Sequence, residues 1–181
     1  MLYPIYSVGG ITLSEIPGKT ALVIEFNNCH QYCPGCHSPH LWEKTAEYSL
    51  GQILEAVDMQ DLKDINCILL MGGTTNGVPM EDLRKLVESL YKEFSIPVAI
   101  YSGCPEDTQM MTEMLSWYGL DWLKTGDYRA ELGGIEDPKS NQKLYRKERW
   151  YSLNNHQDVK FYPYWDDITY KLRGRKEKNV K

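Results

Sequence analysis

Three of the five cysteines fall within eight residues, Cys29-x3-Cys33-x2-Cys36, directly behind the apolar run Ala21-Leu-Val-Ile24. A run interrupted only by Glu25 reads as a strand, Ala21 to Phe26, buried on both faces, and such a strand demands a sheet covered on both sides. The thiols then lie in the loop at its C-terminal end, where sites gather in parallel α/β sheets. Thiolates suit soft metals and iron–sulfur clusters, and local Pro34-Gly35 sets a turn tight enough for the loop to wrap one face of a cubane. Three ligands would leave one iron free to bind something else. A zinc loop completed by His30, His37 or His40 is the alternative that the same residues allow.

The rest of the chain alternates between buried strands and amphipathic helices. Residues 1–20, punctuated by Gly9-Gly10 and Pro17-Gly18, predict an edge strand and a turn. Ser49 caps a helix with apolar positions 50, 53, 54 and 57, and Cys67 to Met71 forms the next strand, closing on Gly72-Gly73. Pro79 to Phe94 carries a helical stripe with Pro79 near its first turn. Ile96 to Tyr101 is a third core strand with Pro97 at its start. A helix runs from Pro105 to Trp117, Gly119 ends it, and Leu120 to Lys124 is the fourth strand. This order predicts βαβ units and a parallel sheet. Thr125 to Arg149 is polar and too long for an ordinary connection, which marks it as a functional loop. Val159 to Tyr164 can supply a terminal strand, and Pro163 assigns it to an edge.

With 181 residues the chain suits one domain, residues 1–181, with a core that needs no disulfide staples. A formal net charge of -5 argues against nucleic-acid partners, because no strong positive field attracts phosphates. The locally basic residues 171–181 read as a flexible tail. No apolar run approaches the roughly 20 residues that span a bilayer, and the N-terminus lacks the features of a signal peptide. Clustered, odd-numbered cysteines fit a reducing compartment, so a cytoplasmic protein with no membrane partner is expected. Cys67 reads as core, Cys104 as a thiol near a strand end, and His156 as solvent-exposed.

The triplet Cys29-x3-Cys33-x2-Cys36 resembles the signature of the radical S-adenosylmethionine superfamily. Ile16-Pro-Gly-Lys19, Cys33-Pro-Gly-Cys-His37, Leu41-Trp42, Met71-Gly-Gly73, Leu123-Lys-Thr-Gly126 and Asn141-Gln142 narrow the likeness to the glycyl-radical activases of anaerobic ribonucleoside-triphosphate reductase. The resemblance covers roughly residues 5 to 146. It implies a partial, open (β/α) barrel with a mainly parallel sheet. It also implies a 4Fe-4S cluster with three Cys ligands, whose fourth iron is chelated by S-adenosylmethionine. Reductive cleavage to a deoxyadenosyl radical would then place a glycyl radical on the large subunit of the reductase, with a small donor such as a flavodoxin supplying the electron. Activation of another glycyl-radical enzyme, or radical chemistry on a small molecule, is the runner-up; a non-catalytic zinc module is the reading from another class.

The resemblance also distributes roles. Cys29, Cys33 and Cys36 are the metal ligands. Gly35, His37, Gly72, Gly73, Thr74 and Ser102 are expected at the cofactor, with Gly103 beside Ser102. Thr74 stands where the family carries an acid, which Glu25 could compensate. Asp127, Arg129, Asn141, Gln142 and Arg146 are expected on the face that receives the partner.

Overall fold

The apolar runs become strands because each buries alternate side chains on both sides of one sheet. A computed structural model describes residues 1–154 and 158–173, with side chains outside the description at 150–154 and 158–162. His156 and residues 174–181 of the expected tail lie outside the described residues. In chain order the elements are β1 (Leu2–Tyr3), β2 (Ile5–Thr12), β3 (Ala21–Phe26), β4 (Tyr48–Ser49), α1 (Leu50–Asp58), β5 (Cys67–Met71), α2 (Met80–Phe94), β6 (Val98–Tyr101), α3 (Thr108–Leu115), β7 (Leu120–Thr125), β8 (Lys143–Asn154) and β9 (Asp158–Asp167). Ser49 and Gln52 form a reciprocal capping box at α1. Asp107 caps α3 by accepting from the backbone N–H groups of Gln109 and Met110, so this helix starts later than Pro105.

The main sheet runs β2-β3-β5-β6-β7-β8-β9, with β1 and β4 paired separately. Strands β3, β5, β6 and β7 are mutually parallel, whereas β2, β8 and β9 join antiparallel to their neighbours. The partial, open (β/α) barrel with a mainly parallel sheet is therefore corrected to an open, mixed seven-stranded sheet with, among the described residues, three α-helices, two short 3-10 turns and no closure. The reason is local. A parallel neighbour needs a long crossover, usually helical, and after β7 the chain has no further helical period. It loops through residues 126–142 and returns antiparallel as β8, so Lys143 to Arg149 is strand rather than loop. The terminal strand is present as β9, at the edge that Pro163 requires.

The two faces are covered differently. Leu22, Ile24, Phe26, Ile68, Leu70, Val98 and Ile100 pack against Ile53 and Val57 of α1, Leu83 to Leu90 of α2 and Met114 of α3. On the opposite face Ala21, Val23, Cys67, Leu69, Ala99 and Trp122 meet Ile16, Ile135, Leu144 and, at the ends of the short 3-10 helix Thr169–Lys171, Ile168 and Leu172, with no α-helix among the described residues there. Cys67 is core as expected, and burial pushes its thiol up to about 12. Leu172 is buried and Arg173 donates to the Ser140 carbonyl at 3.2 Å, which anchors the chain through residue 173. Among the described residues no helix is long and apolar enough to cross a membrane.

Candidate metal and cofactor site

Four parallel strands end on the same side of the sheet, so the loops after β3, β5, β6 and β7 converge. The thiol loop is held first by backbone bonds. Asn28 N–H donates to the Glu43 carbonyl at 3.2 Å, Cys29 N–H to Leu41 at 2.9 Å, and His30 N–H to Thr75 of the β5 turn at 2.9 Å. Cys29 Sγ lies 3.7 Å from Thr75 Oγ1, and Gln31 Nε2 donates to the Gly103 carbonyl after β6 at 2.9 Å. All three thiols are free and half-buried. Burial, with Cys36, Asp127 and Cys29 close by, pushes the Cys33 thiol above its ordinary value, while a backbone hydrogen bond from Tyr128 opposes the rise.

The glycine turn after β5 is packed tightly against the chain's own interior. Gly72 and Gly73 have φ of +114° and +102°, and a Cβ on Gly72 would stand 2.8 Å from Asn76 Oδ1 and 2.9 Å from Phe26 Cβ. Thr74 Oγ1 and Ser102 Oγ share a hydrogen bond of 2.9 Å, and Ser102 also accepts from Cys104 N–H at 3.1 Å. Glu25, the candidate to replace the missing acid, accepts from Ser7 Oγ at 2.6 Å. It begins a transverse row, Glu25, Met71, Tyr101, Lys124, in register across the four parallel strands. Lys124 Nζ stands 4.7 Å from the centre of the Tyr101 ring, and burial pulls its pKa down to about 8 against the pull of Glu15 and Glu136.

The loop after β7 meets the thiol loop. The His37 ring lies 4.7 Å from that of Tyr128, and a Cβ on Gly35 would come within 3.1 Å of Ala130 Cβ. Asn141 Nδ2 donates to the Asp127 carbonyl and carboxylate at 3.1 and 3.0 Å, and Arg129 pairs with that carboxylate at 3.0 Å. Gln142 is buried and donates to the Gly126 carbonyl at 3.3 Å, so it shapes the loop rather than facing a partner. Arg146 stands apart. It lies on β8 opposite Trp122 and pairs with Glu148, three residues from the Thr125 end of β7 and about 10 Å from that edge at strand spacing.

Two side chains that sequence reasoning passed over organise the site. Asn76, 2% exposed, accepts from Gly73 N–H at 2.7 Å and donates to the Asn27 carbonyl at 2.7 Å. Asn27, fully buried, donates to Thr45 Oγ1 at 3.1 Å and the Ala46 carbonyl at 3.0 Å, closing the far end of the thiol loop. Asn76-Gly77 carries a turn signal, but no local pattern reveals where its amide points.

The residues fit the groups that the resemblance implies. Three reduced thiols on one loop are a soft donor set of the kind that iron–sulfur clusters take. Among the described residues no three His, Cys, Asp or Glu side chains surround the place of a single ion. A cubane spaces its thiolates more widely than a single ion does, because each binds a different iron of the cluster. Two of the histidines open to zinc are turned to aromatic neighbours, His37 to Tyr128 and His40 to Tyr6, whose rings lie 5.0 Å apart. No family model, curated protein or solved structure matches the chain.

Proposed function

We propose that the chain is an iron–sulfur activase of the radical S-adenosylmethionine type, acting on anaerobic ribonucleoside-triphosphate reductase. The observation that supports this most is the meeting of a loop bearing three free thiols with the glycine turn after the neighbouring parallel strand. Cys29, Cys33 and Cys36 would hold a 4Fe-4S cluster with one iron left to S-adenosylmethionine. With an electron from a small flavodoxin-like donor, such a pair would supply reductive cleavage of S-adenosylmethionine to methionine and a deoxyadenosyl radical, the hydrogen-atom acceptor needed to form a glycyl radical on the large subunit of the reductase.

The chain's own residues bind and orient. Gly73 N–H is turned inward to Asn76, so the planar trans peptide points the Gly72 carbonyl in the opposite sense, suited to accept from a ligand ammonium. The Thr74 and Ser102 hydroxyls add uncharged acceptors at the adjacent strand end. Asp127, Arg129 and Asn141, beside the thiol loop, form the face offered to the partner.

The test is anaerobic iron and sulfide reconstitution, then incubation with S-adenosylmethionine, reductant and the reductase. A glycyl doublet in the electron paramagnetic resonance spectrum is the expected result. A cluster without a doublet moves the activity to another target, and stoichiometric zinc without iron rejects the enzyme reading.

A further inference from the structure

We infer that Asn76, acting with Asn27, is a positioning residue that sets the thiol loop and the glycine turn in one fixed relation. The inference rests on the functional reading above for its consequence, but the clamp itself belongs to the metal-free chain. The thiol loop leaves β3 at Asn27 and returns through Thr45 and Ala46; the cofactor turn leaves β5 at Gly72. Nothing in the sheet ladder fixes one to the other, because both lie beyond the last paired residues, Glu25 and Met71.

A buried side-chain amide bridges them at their base, below the His30 N–H bond to the Thr75 carbonyl. Its oxygen takes Gly73 N–H and its nitrogen gives to the Asn27 carbonyl, each at 2.7 Å. The Asn76 carbonyl in turn accepts from Asn28 Nδ2 at 3.3 Å, the residue before the first thiol. Asn27 extends the bridge to the far end of the loop through Thr45 and Ala46. A donor and an acceptor on one rigid planar group are both used, so no residue with only one of the two functions can replace it. Asn28 sits at φ +59°, a left-handed conformation that asparagine readily adopts. The glycine at 72 is part of the device, since a Cβ there would strike Asn76 Oδ1 at 2.8 Å.

The clamp therefore sets how the Gly72–Gly73 peptide faces a ligand held by the thiol loop. Removing it should weaken the ligand's binding without removing the thiols that hold the cluster. Asn27→Ala should show the complementary loss, because it frees the loop's return while the Asn76 bond to the residue 27 carbonyl remains.

Amide hydrogen exchange of the metal-free, reduced protein tests the clamp first. Asn76→Ala is expected to lower protection at Gly73 by about tenfold or more relative to core amides of β5, and unchanged protection overturns the inference. Asn76→Asp provides the control for general destabilisation. Its neutral carboxyl can both accept from Gly73 and donate to Asn27, whereas its carboxylate faces the Asn27 carbonyl with no proton to give. Protection at Gly73 in this variant should recover as the pH is lowered, after correction for intrinsic exchange, while wild type stays flat; no recovery overturns the clamp.

Calorimetry on the iron-loaded protein then reads the consequence. At equal iron content Asn76→Ala should bind S-adenosylmethionine about tenfold more weakly, while Asn27→Ala loses iron before affinity. Wild-type affinity in Asn76→Ala refutes the positioning role. A wild-type protein that takes up iron but no S-adenosylmethionine refutes the functional reading and the consequence drawn from it, leaving the exchange result to judge the clamp alone.

Discussion

Replacing Gly72 by alanine should damage the protein before any cofactor is involved. The residue sits at φ +114°, and the left-handed half of backbone space costs an L-residue about 1–2 kcal/mol. Its new Cβ would lie 2.8 Å from Asn76 Oδ1 and 2.9 Å from Phe26 Cβ. Neither neighbour can swing aside, since Asn76 is tied by two bonds of 2.7 Å and Phe26 is fully packed in the core. Relieving such overpacking costs about 1–3 kcal/mol, which gives about 2–5 kcal/mol in sum. That is a large part of a total of about 5–15 kcal/mol. The assay is urea unfolding of the metal-free, reduced chain. With a slope of about 2 kcal/mol per molar, the midpoint should fall by about 1–2.5 M. Gly51→Ala is the matched control. Gly51 is exposed within α1 with nothing within 4 Å of an added Cβ, so alanine should stabilise by up to about 1 kcal/mol. A Gly72→Ala midpoint within about 0.3 M of wild type would refute the reasoning.

Cys33→Ala should lose iron and cofactor cleavage together, whereas Cys67→Ala keeps both, as read by iron-to-protein ratio; full iron loading of Cys33→Ala rejects the ligand assignment. Arg129→Glu should slow glycyl-radical formation while leaving uncoupled cofactor cleavage intact, and Arg146→Glu should leave both unchanged, because only Arg129 stands beside the thiol loop. Lys147, 9% exposed, donates to the Trp117 carbonyl at 2.8 Å, and burial pulls its pKa from 10.5 down to about 8. Between those pH values the unfolded chain holds a proton that the folded chain has released, so stability rises with pH across the window and the penalty is full below pH 8. That penalty is at most about 3 kcal/mol, and Lys147→Met removes it while orphaning a carbonyl at about 1–3 kcal/mol. The variant should therefore gain up to about 2 kcal/mol at pH 7 and show a flatter rise toward pH 10.5 in urea titrations; an unchanged pH profile counts against the assignment.

The core strands were legible because burial on both faces leaves a continuous apolar run, as in Ala21 to Phe26 and Cys67 to Met71. Their parallel order followed from the helices between them. The edge of the sheet was not legible. Lys143 to Arg149 has no turn residues inside, but it holds only Leu144 and Tyr145 among five charged residues, so it and the loop before it read as one polar segment. Strand direction there depends on β7, to which β8 returns antiparallel only after the loop through residues 126–142. At the site, the spacing of the thiols and the paired glycines carried chemistry in one dimension. The Asn27 and Asn76 amides carried theirs only in three, since each bonds a residue brought near by the sheet. Gln142 and Arg146, grouped with Asn141 by their place in the sequence, were separated by the turn into β8.

The two edges of the main sheet have a consequence for the protein at high concentration. An exposed edge strand is a template on which another chain can add a strand, and the growth of aggregates by that route needs a flat, regular ladder. Here β2 departs from regular pairing twice, between Ile5 and Ser7 and between Val8 and Gly10. At the other edge, β9 carries Pro163, which has no N–H to offer an incoming strand. A chain with five free cysteines already risks cross-linking when unfolded, and its folded sheet adds little hazard of its own, because both sides resist extension.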